Sequence, residues 1–150
     1  MADEDCLVCR QIAGDIDVPG GSLVDDEVVF AFHMPPLDPD LTAYLGHLLV
    51  SLKRHVDHFG DLEEVEAARI GGVAAQLSKA LRESEPVERV YAAVIGTHVP
   101  HFHLHLLPRY VGTPPEIRWY EVDEWDGALG GGPMEIAALV ERLSRRIRAS

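Results

Sequence analysis

The sequence has little cysteine, little positive charge and no long hydrophobic run. Cys6 and Cys9 are its only cysteines, and 13 Lys and Arg face 25 Asp and Glu, for a formal net charge of −12. Proteins that bind nucleic-acid polymers present concentrated positive charge, so this composition argues against such a partner. No stretch approaches the roughly 18 apolar residues of a membrane span. The residues at the start are acidic where a secretory signal would be basic, and we therefore expect a cytoplasmic protein that does not engage a membrane.

The length and hydropathy predict one globular domain over residues 1–150, with a core region 5–110 followed by a tail and helix over 111–150. Hydrophobic residues make up 47% of the 150, which suffices for a real core. The patterns predict a helix over 5–13 ended by Gly14, strands over 22–24, 28–32, 47–52, 90–96 and 101–107, an irregular loop over 34–46, a long helix capped by Asp61 and Glu64 that runs to about 84, and a last helix after Pro133. Strands joined by short turns favour an α+β fold with an antiparallel sheet of about five strands.

Two features of these helices and of the tail point beyond simple packing. Gly71 and Gly72 lie within the long helix, where each glycine costs about 1 kcal/mol relative to alanine. Something that packs very close, such as a second subunit, would account for them. Trp119, Tyr120 and Trp125 in the tail are able to stack on a base, although ordinary core or dimer packing is the more common use of such residues.

Three histidines alternate with apolar residues in the sequence His101-Phe102-His103-Leu104-His105. On a strand, alternate side chains share a face, so the three imidazoles are expected to point one way and the apolar side chains the other. His101 and His105 would be roughly 13 Å apart at strand rise, too far for both to bind one ion comfortably. The spacing favours a terminal histidine in a metal site and a middle histidine that is free to react.

The metal candidates are Cys6, Cys9, His55 and His101, because the Cys-x-x-Cys spacing lets two thiolates bind one tetrahedral ion and imidazole is the other common zinc ligand. Four protein ligands leave no open position, so such a zinc would be structural. Two buried cysteines without a metal, or a redox pair, are the alternatives, and His55 alone would pass for a surface histidine. His103 is the candidate nucleophile because a neutral imidazole attacks phosphorus without prior deprotonation.

The sequence resembles the histidine triad family, whose signature alternates three histidines with apolar residues, here over 101–107. The resemblance extends to the Cys6–Asp15 segment, to Val29–Phe32, to Gly46–His55 and to Pro108-Arg109. It implies an α+β domain that pairs as a homodimer and acts on the α-phosphate of nucleotides. It also implies His103 as the nucleophile, His105 and His101 as its catalytic partners, and His101 with His55, Cys6 and Cys9 as ligands of a structural Zn²⁺.

The chain departs from the family pattern around the substrate. Met34 stands where members commonly carry an Asp for the ribose hydroxyls, and methionine cannot accept those hydrogen bonds. The segment 95–100 is short and lacks the usual Asn and Gln, which leaves Thr97 and His98 as candidate phosphate contacts. Phe32 and Arg109 are further candidates for substrate binding, although an arginine after a proline is more often a surface charge.

The function that follows is a hydrolase or nucleotidyl transferase that acts on a nucleotide phosphoanhydride or phosphoramidate through a nucleotidyl-His intermediate. The first alternative is a non-catalytic, zinc-stabilised protein that binds a nucleotide or another ligand. A metal-dependent oxygenase or hydrolase with His103 and His105 as ligands is a third. No carboxylate lies close in sequence to His101, His103 and His105 to complete such a metal site, which disfavours this third alternative.

Overall fold

The computed structural model describes residues 3–38 and 40–150. Met1, Ala2 and Pro39 lie outside the described residues, and Pro39 belongs to the predicted loop over 34–46. Its helices are α1 (Leu7–Ala13), α2 (Glu64–Ser84) and α3 (Pro133–Ala149), and its strands are β1 (Ser22–Asp25), β2 (Val29–His33), β3 (Ala43–Tyr44), β4 (Leu48–Leu52), β5 (Val87–Val94), β6 (His103–Tyr110) and β7 (Gly130–Gly131). Short 3-10 helices cover Phe59–Asp61 and Trp119–Glu121. Within the described ranges, no helix combines the length and the apolar character that a membrane crossing needs.

Five strands form one antiparallel sheet in the order β1-β2-β4-β6-β5. This confirms the α+β fold with a five-stranded sheet, a long helix, a short amino-terminal helix and a carboxy-terminal helix. In β4, Leu48, Val50 and Leu52 point to one face, and Leu49 and Ser51 to the other, because side chains alternate along a strand. Only the first face is covered by the long helix.

The main core lies between that face of the sheet and α2. Leu48 and Leu52 of β4 pack with Leu77 and Leu81 of α2, and all four are fully buried. Burial of a leucine side chain stabilises a fold by about 1.5–3 kcal/mol, so these contacts fix the long helix over the sheet. The other face of the sheet, which carries the histidines, is left to α1 and the loops.

The start of α2 differs from the prediction, which placed a capping pair at Asp61 and Glu64. Asp61 ends the 3-10 helix, and α2 begins at Glu64. The carboxylate of Glu66 accepts a hydrogen bond from the backbone N–H of Glu63 at 2.8 Å. It also accepts from the Arg54 guanidinium at 2.8 Å, which ties the helix start to the segment that follows β4.

The predicted irregular loop over 34–46 contains a strand that the sequence did not indicate. Ala43–Tyr44 pairs with Gly130–Gly131, and Leu45 N–H donates to the carbonyl of Leu129 at 2.9 Å. Strands of two residues are too short to give a periodic signal, so the pairing of these distant segments was not predictable from pattern. The contact brings the carboxy-terminal segment over the loop.

Gly71 and Gly72 are exposed on α2, and a Cβ added at either position would meet nothing within 4 Å. The close packing partner expected at these glycines is therefore not found in the described part of this chain.

Candidate active site and metal centre

Cys6, Cys9, His55 and His101 converge at the end of the sheet. Their ligand atoms all lie within 4.8 Å of one another. The Nδ1 atom of His101 lies 3.4 Å from each of the Cys6 and Cys9 Sγ atoms. The Nδ1 atom of His55 lies 3.3 Å from the Cys9 Sγ and 3.2 Å from the His101 Nδ1.

These separations match a tetrahedral zinc site. Zn–S bonds of about 2.3 Å and Zn–N bonds of about 2.05 Å, set at tetrahedral angles, place S and N ligands about 3.6 Å apart and two N ligands about 3.3 Å apart. The four separations given above, 3.2 to 3.4 Å, fall slightly inside those values. The donor set of two thiolates and two imidazoles is also the one that zinc prefers, so the chain carries a structural Cys2His2 zinc site as expected.

The local folds explain how four residues from three segments meet. Cys6 is the N-cap of α1 and Cys9 lies one turn later, so both thiols face the same side. His101 precedes β6, which begins at His103, and the prediction that the strand starts at His101 was wrong. The bend at His101 lets its Nε2–H donate to the Leu52 carbonyl at 2.5 Å, which leaves Nδ1 free for the metal.

His103 presents one ring nitrogen outward. Its Nδ1–H donates to the carbonyl of His101 at 2.6 Å, which leaves a lone pair on Nε2. The residue is 9% exposed and its ring centroid lies 4.8 Å from that of His105. This is the orientation that an attacking imidazole requires.

His47 is a member of the site that the sequence did not single out. Its Nε2 lies 2.9 Å from the Nδ1 of His105, within hydrogen-bond distance, and the two rings are 5.2 Å apart. The signal that could have found it is parity, because His47 precedes Leu48, whose side chain lies on the core face. His47 therefore falls on the same face as His103 and His105.

Burial keeps the histidine pair uncharged near neutral pH. Burial, with the neighbouring His103 as a smaller cause, lowers the pKa of His105 to about 4. Burial and then the neighbouring His105 lower the pKa of His47 to about 3. One ring of this neutral pair must donate and the other accept, so the tautomer of His47 sets which nitrogen of His105 carries the proton.

His33 is a second buried histidine, on the opposite face of the sheet. Its Nδ1–H donates to the Met34 carbonyl at 2.7 Å, and its Nε2 accepts from the Gly46 N–H at 2.9 Å. Burial lowers its pKa to about 4. Gly46 has φ +91°, and a Cβ there would meet the Pro108 Cγ at 2.7 Å, so this hydrogen bond depends on a glycine.

Two residues predicted to bind substrate, Phe32 and Arg109, are occupied by contacts within the protein. Phe32 is fully buried, in a cluster with Phe30 and Leu49, and offers no surface to a ligand. The Arg109 guanidinium donates to Glu88 at 2.9 Å and to the carbonyls of Ile117 at 2.7 Å and Pro114 at 2.6 Å. It holds the carboxy-terminal segment against the sheet, which is a structural role.

Thr97 and His98 lie in the exposed turn between β5 and β6. His98 lines a cavity of about 250 Å³ with the zinc ligands Cys6 and His55 and with Asp3 and Asp5. Two carboxylates at this cavity disfavour a phosphate there. The role of Thr97 and His98 in substrate binding stays a prediction.

A second cavity of about 210 Å³ opens beside His47. It is lined by residues from the end of β2, the loop after it and the carboxy-terminal segment, namely Met34, Pro35, Pro36, Leu37, Thr42, Ala43, Tyr44, His47 and Asp123. Because His47 contacts His105, the cavity is adjacent to the alternating histidines of residues 101–105.

Comparisons with known proteins agree with this geometry. The HIT domain family matches residues 18–112. The chain is 32% identical over 112 residues to the Protein hit of Bacillus subtilis, covering 71% of this chain and 72% of that protein. It is 31% identical over 125 residues to an uncharacterized HIT-like protein of Methanocaldococcus jannaschii, covering 81% and 92%.

Solved structures share the fold over nearly the whole chain. A Zn-bound histidine triad family protein of Mycobacterium smegmatis gives a TM-score of 0.71 at 22% identity, covering 97% of this chain and 98% of that chain. A hypothetical histidine triad nucleotide-binding protein of Sulfolobus tokodaii gives 0.73 at 19% identity, covering 96% and 93%. The chain belongs to the HIT family, which supports a nucleotide-binding or hydrolase-type function in general.

Proposed function

We propose that the protein hydrolyses or transfers a nucleotidyl group from a phosphoanhydride or phosphoramidate, with His103 as the nucleophile. The observation that carries the proposal is the hydrogen bond from His103 Nδ1–H to the His101 carbonyl. It fixes the tautomer that leaves Nε2 with a lone pair, beside His105 and on the open face of the sheet.

In the first step, the Nε2 lone pair of His103 forms a bond to the α-phosphorus while the bond from phosphorus to the leaving oxygen or nitrogen breaks. The leaving group takes up a proton, and a donor placed at that atom lowers the barrier. In the second step, water or another acceptor attacks phosphorus, the bond to His103 breaks, and the acceptor loses a proton. Hydrolysis thus returns the free enzyme and a nucleoside monophosphate.

His105 is the proposed donor to the leaving group, and His47 its positioning residue. If His47 Nε2–H donates across the 2.9 Å contact, then His105 Nδ1 accepts and His105 Nε2 carries the proton that faces the substrate. An N–H in this position stabilises the negative charge that develops on the leaving atom. The zinc site contributes to the position of His103 indirectly. It anchors His101, whose carbonyl accepts the hydrogen bond that orients His103.

The test measures release of AMP from adenosine 5′-phosphoramidate by the zinc-loaded protein. We expect His103→Ala to abolish turnover with the fold and zinc content intact, and His58→Ala, which alters a surface histidine, to leave it unchanged. If the protein bound AMP but turned over none of several nucleotide substrates, the result would instead support the alternative of a non-catalytic binding protein. Loss of the fold in His103→Ala would mean that His103 is structural.

We also infer that the protein pairs as a homodimer through β5 and the adjoining face of α2. β5 is an edge of the five-stranded sheet, with exposed Ala92 and Val94, and an unpaired edge is a template for a second strand. On α2, small residues that are not fully buried recur at helical spacing, at Ala67, Gly71, Ala74 and Ser78. Such residues allow another helix to approach closely.

Sedimentation equilibrium tests this assembly. Gly71→Arg places a large charged side chain on the proposed interface and is expected to yield monomers, whereas Ala138→Arg, at an exposed position of α3, is expected to leave the dimer intact. A monomeric wild-type protein at micromolar concentration would contradict the proposal.

A further inference from the structure

The cavity beside His47 has an acidic end supplied by a distant part of the chain. Asp123 lines it, 89 residues after Met34 in sequence, together with Thr42. Met34, Pro35 and Pro36 contribute apolar surface to the same wall. Among the residues that line this cavity, Asp123 is the one with a carboxylate.

The fold holds Asp123 in this position. The preceding residue, Val122, is fully buried in a cluster with Tyr44 and Tyr110. Seven residues later, the pairing of β7 with β3 fixes the segment a second time, because β3 includes Tyr44 of the cavity wall. The carboxylate is therefore anchored on both sides, although Asp123 itself is exposed.

The two ends of the cavity differ in the charge that they accept. A phosphate is repelled by Asp123 and is favoured at the histidine end, where neutral imidazoles offer N–H donors. A carboxylate has only acceptor atoms, and two vicinal hydroxyls satisfy its two oxygens. A group on the reacting phosphate that brings hydroxyl donors to Asp123 and an apolar face to the prolines therefore complements this cavity.

We propose that Asp123, supplied by the carboxy-terminal segment, accepts hydrogen bonds from the hydroxyls of the substrate's sugar in this cavity, which makes Asp123 a specificity-determining residue. The proposal rests on the proposed function for the phosphate that anchors the other end of the ligand. A ribose meets the requirement, since its vicinal hydroxyls lie on one edge of a ring whose other face is apolar.

The experiment compares AMP with 2′,3′-dideoxy-AMP as probes, by titration calorimetry on the zinc-loaded wild type and on Asp123→Asn. A hydrogen bond to a charged group contributes enough that we expect the wild type to bind AMP roughly tenfold or more tightly than the dideoxy probe. Asp123→Asn is expected to reduce that ratio to about two or less. The control Asp126→Asn alters an exposed carboxylate in the same segment and is expected to keep the wild-type ratio.

The ratio of the affinities for AMP and for the dideoxy probe separates hydrogen bonding from charge. Removal of a negative charge strengthens the binding of both probes equally and leaves this ratio unchanged. An unchanged ratio in Asp123→Asn, or no binding of AMP by the wild type, overturns the proposal. Turnover of the phosphoramidate with an unchanged ratio refutes the sugar site and leaves the proposed function standing. An Asp123-dependent ratio without turnover or adduct formation supports the sugar site and refutes the proposed chemistry.

Discussion

The buried imidazole of His33 makes the stability of the protein depend on pH in a calculable way. Its pKa in the folded protein is about 4, because burial disfavours the charged form, against an ordinary value of 6.5. Between these two values the unfolded chain binds more protons than the folded one, so stability falls as pH falls through this window. Above about pH 6.5 the contribution is fully present.

The size of the effect follows from the two pKa values. On going from about pH 7.5 to about pH 5, the unfolded state gains about 2 kcal/mol through protonation of this one residue, and the folded state gains almost none. The perturbation is His33→Gln, whose side-chain oxygen retains an acceptor for Gly46 N–H. We expect the substitution to remove about 2 kcal/mol from the pH dependence, whatever it does to stability at neutral pH.

The assay is urea unfolding across this pH range at fixed protein concentration and saturating zinc. The contribution of the metal site then cancels between wild type and variant. His58→Gln, at an exposed position, is the matched control and is expected to keep the wild-type slope. If His33→Gln retained the full pH dependence of the wild type, the linkage of stability to His33 would be refuted.

Three further predictions concern stability and the metal. Cys9→Ser is expected to lower bound zinc to a small fraction of one equivalent by metal analysis and to lower the melting temperature; full zinc content would refute the assignment of ligands. Gly46→Ala is expected to cost about 3 kcal/mol in urea unfolding because strained φ and a clash with Pro108 combine, against about 1 kcal/mol for Gly21→Ala, where a Cβ meets open space. Equal costs would show that the close approach is unimportant. Ser51 has a buried hydroxyl with no partner among the described residues, so Ser51→Ala is expected to be neutral or to stabilise by up to about 1 kcal/mol; a loss above 1 kcal/mol would reveal a partner for that hydroxyl.

Much of the fold and the metal set was predictable because the relevant signals are local and periodic. The apolar repeat predicted α2 to within a few residues, and the Cys-x-x-Cys spacing with two histidines identified the zinc ligands. Strand spacing also separated His101 from His103, although the strand begins at His103 and a bend, not the strand, turns His101 to the metal. The place of His101 at the metal site was therefore predicted through an imperfect picture of the backbone, and the reactive role of His103 stays a prediction.

The remaining features depend on contacts between distant segments. Arg109 follows a proline at the end of a strand and gives no sign in sequence that Pro114 and Ile117 will occupy its guanidinium. Asp123 lies in an acidic tail among several carboxylates, and the burial of Val122 and the pairing of β3 with β7 bring its segment to His47. Pattern reasoning detects which face a residue occupies, and it does not detect which distant segment covers that face.

The central claim is that His103 carries the transferred group. The zinc-loaded protein is mixed with adenosine 5′-phosphoramidate at low temperature, quenched in base, and analysed by intact mass and by peptide mapping. The account predicts an adenylyl adduct on His103 that forms and decays during turnover and is absent in His103→Ala. Turnover without any adduct, or an adduct on His105 or His47, would contradict it.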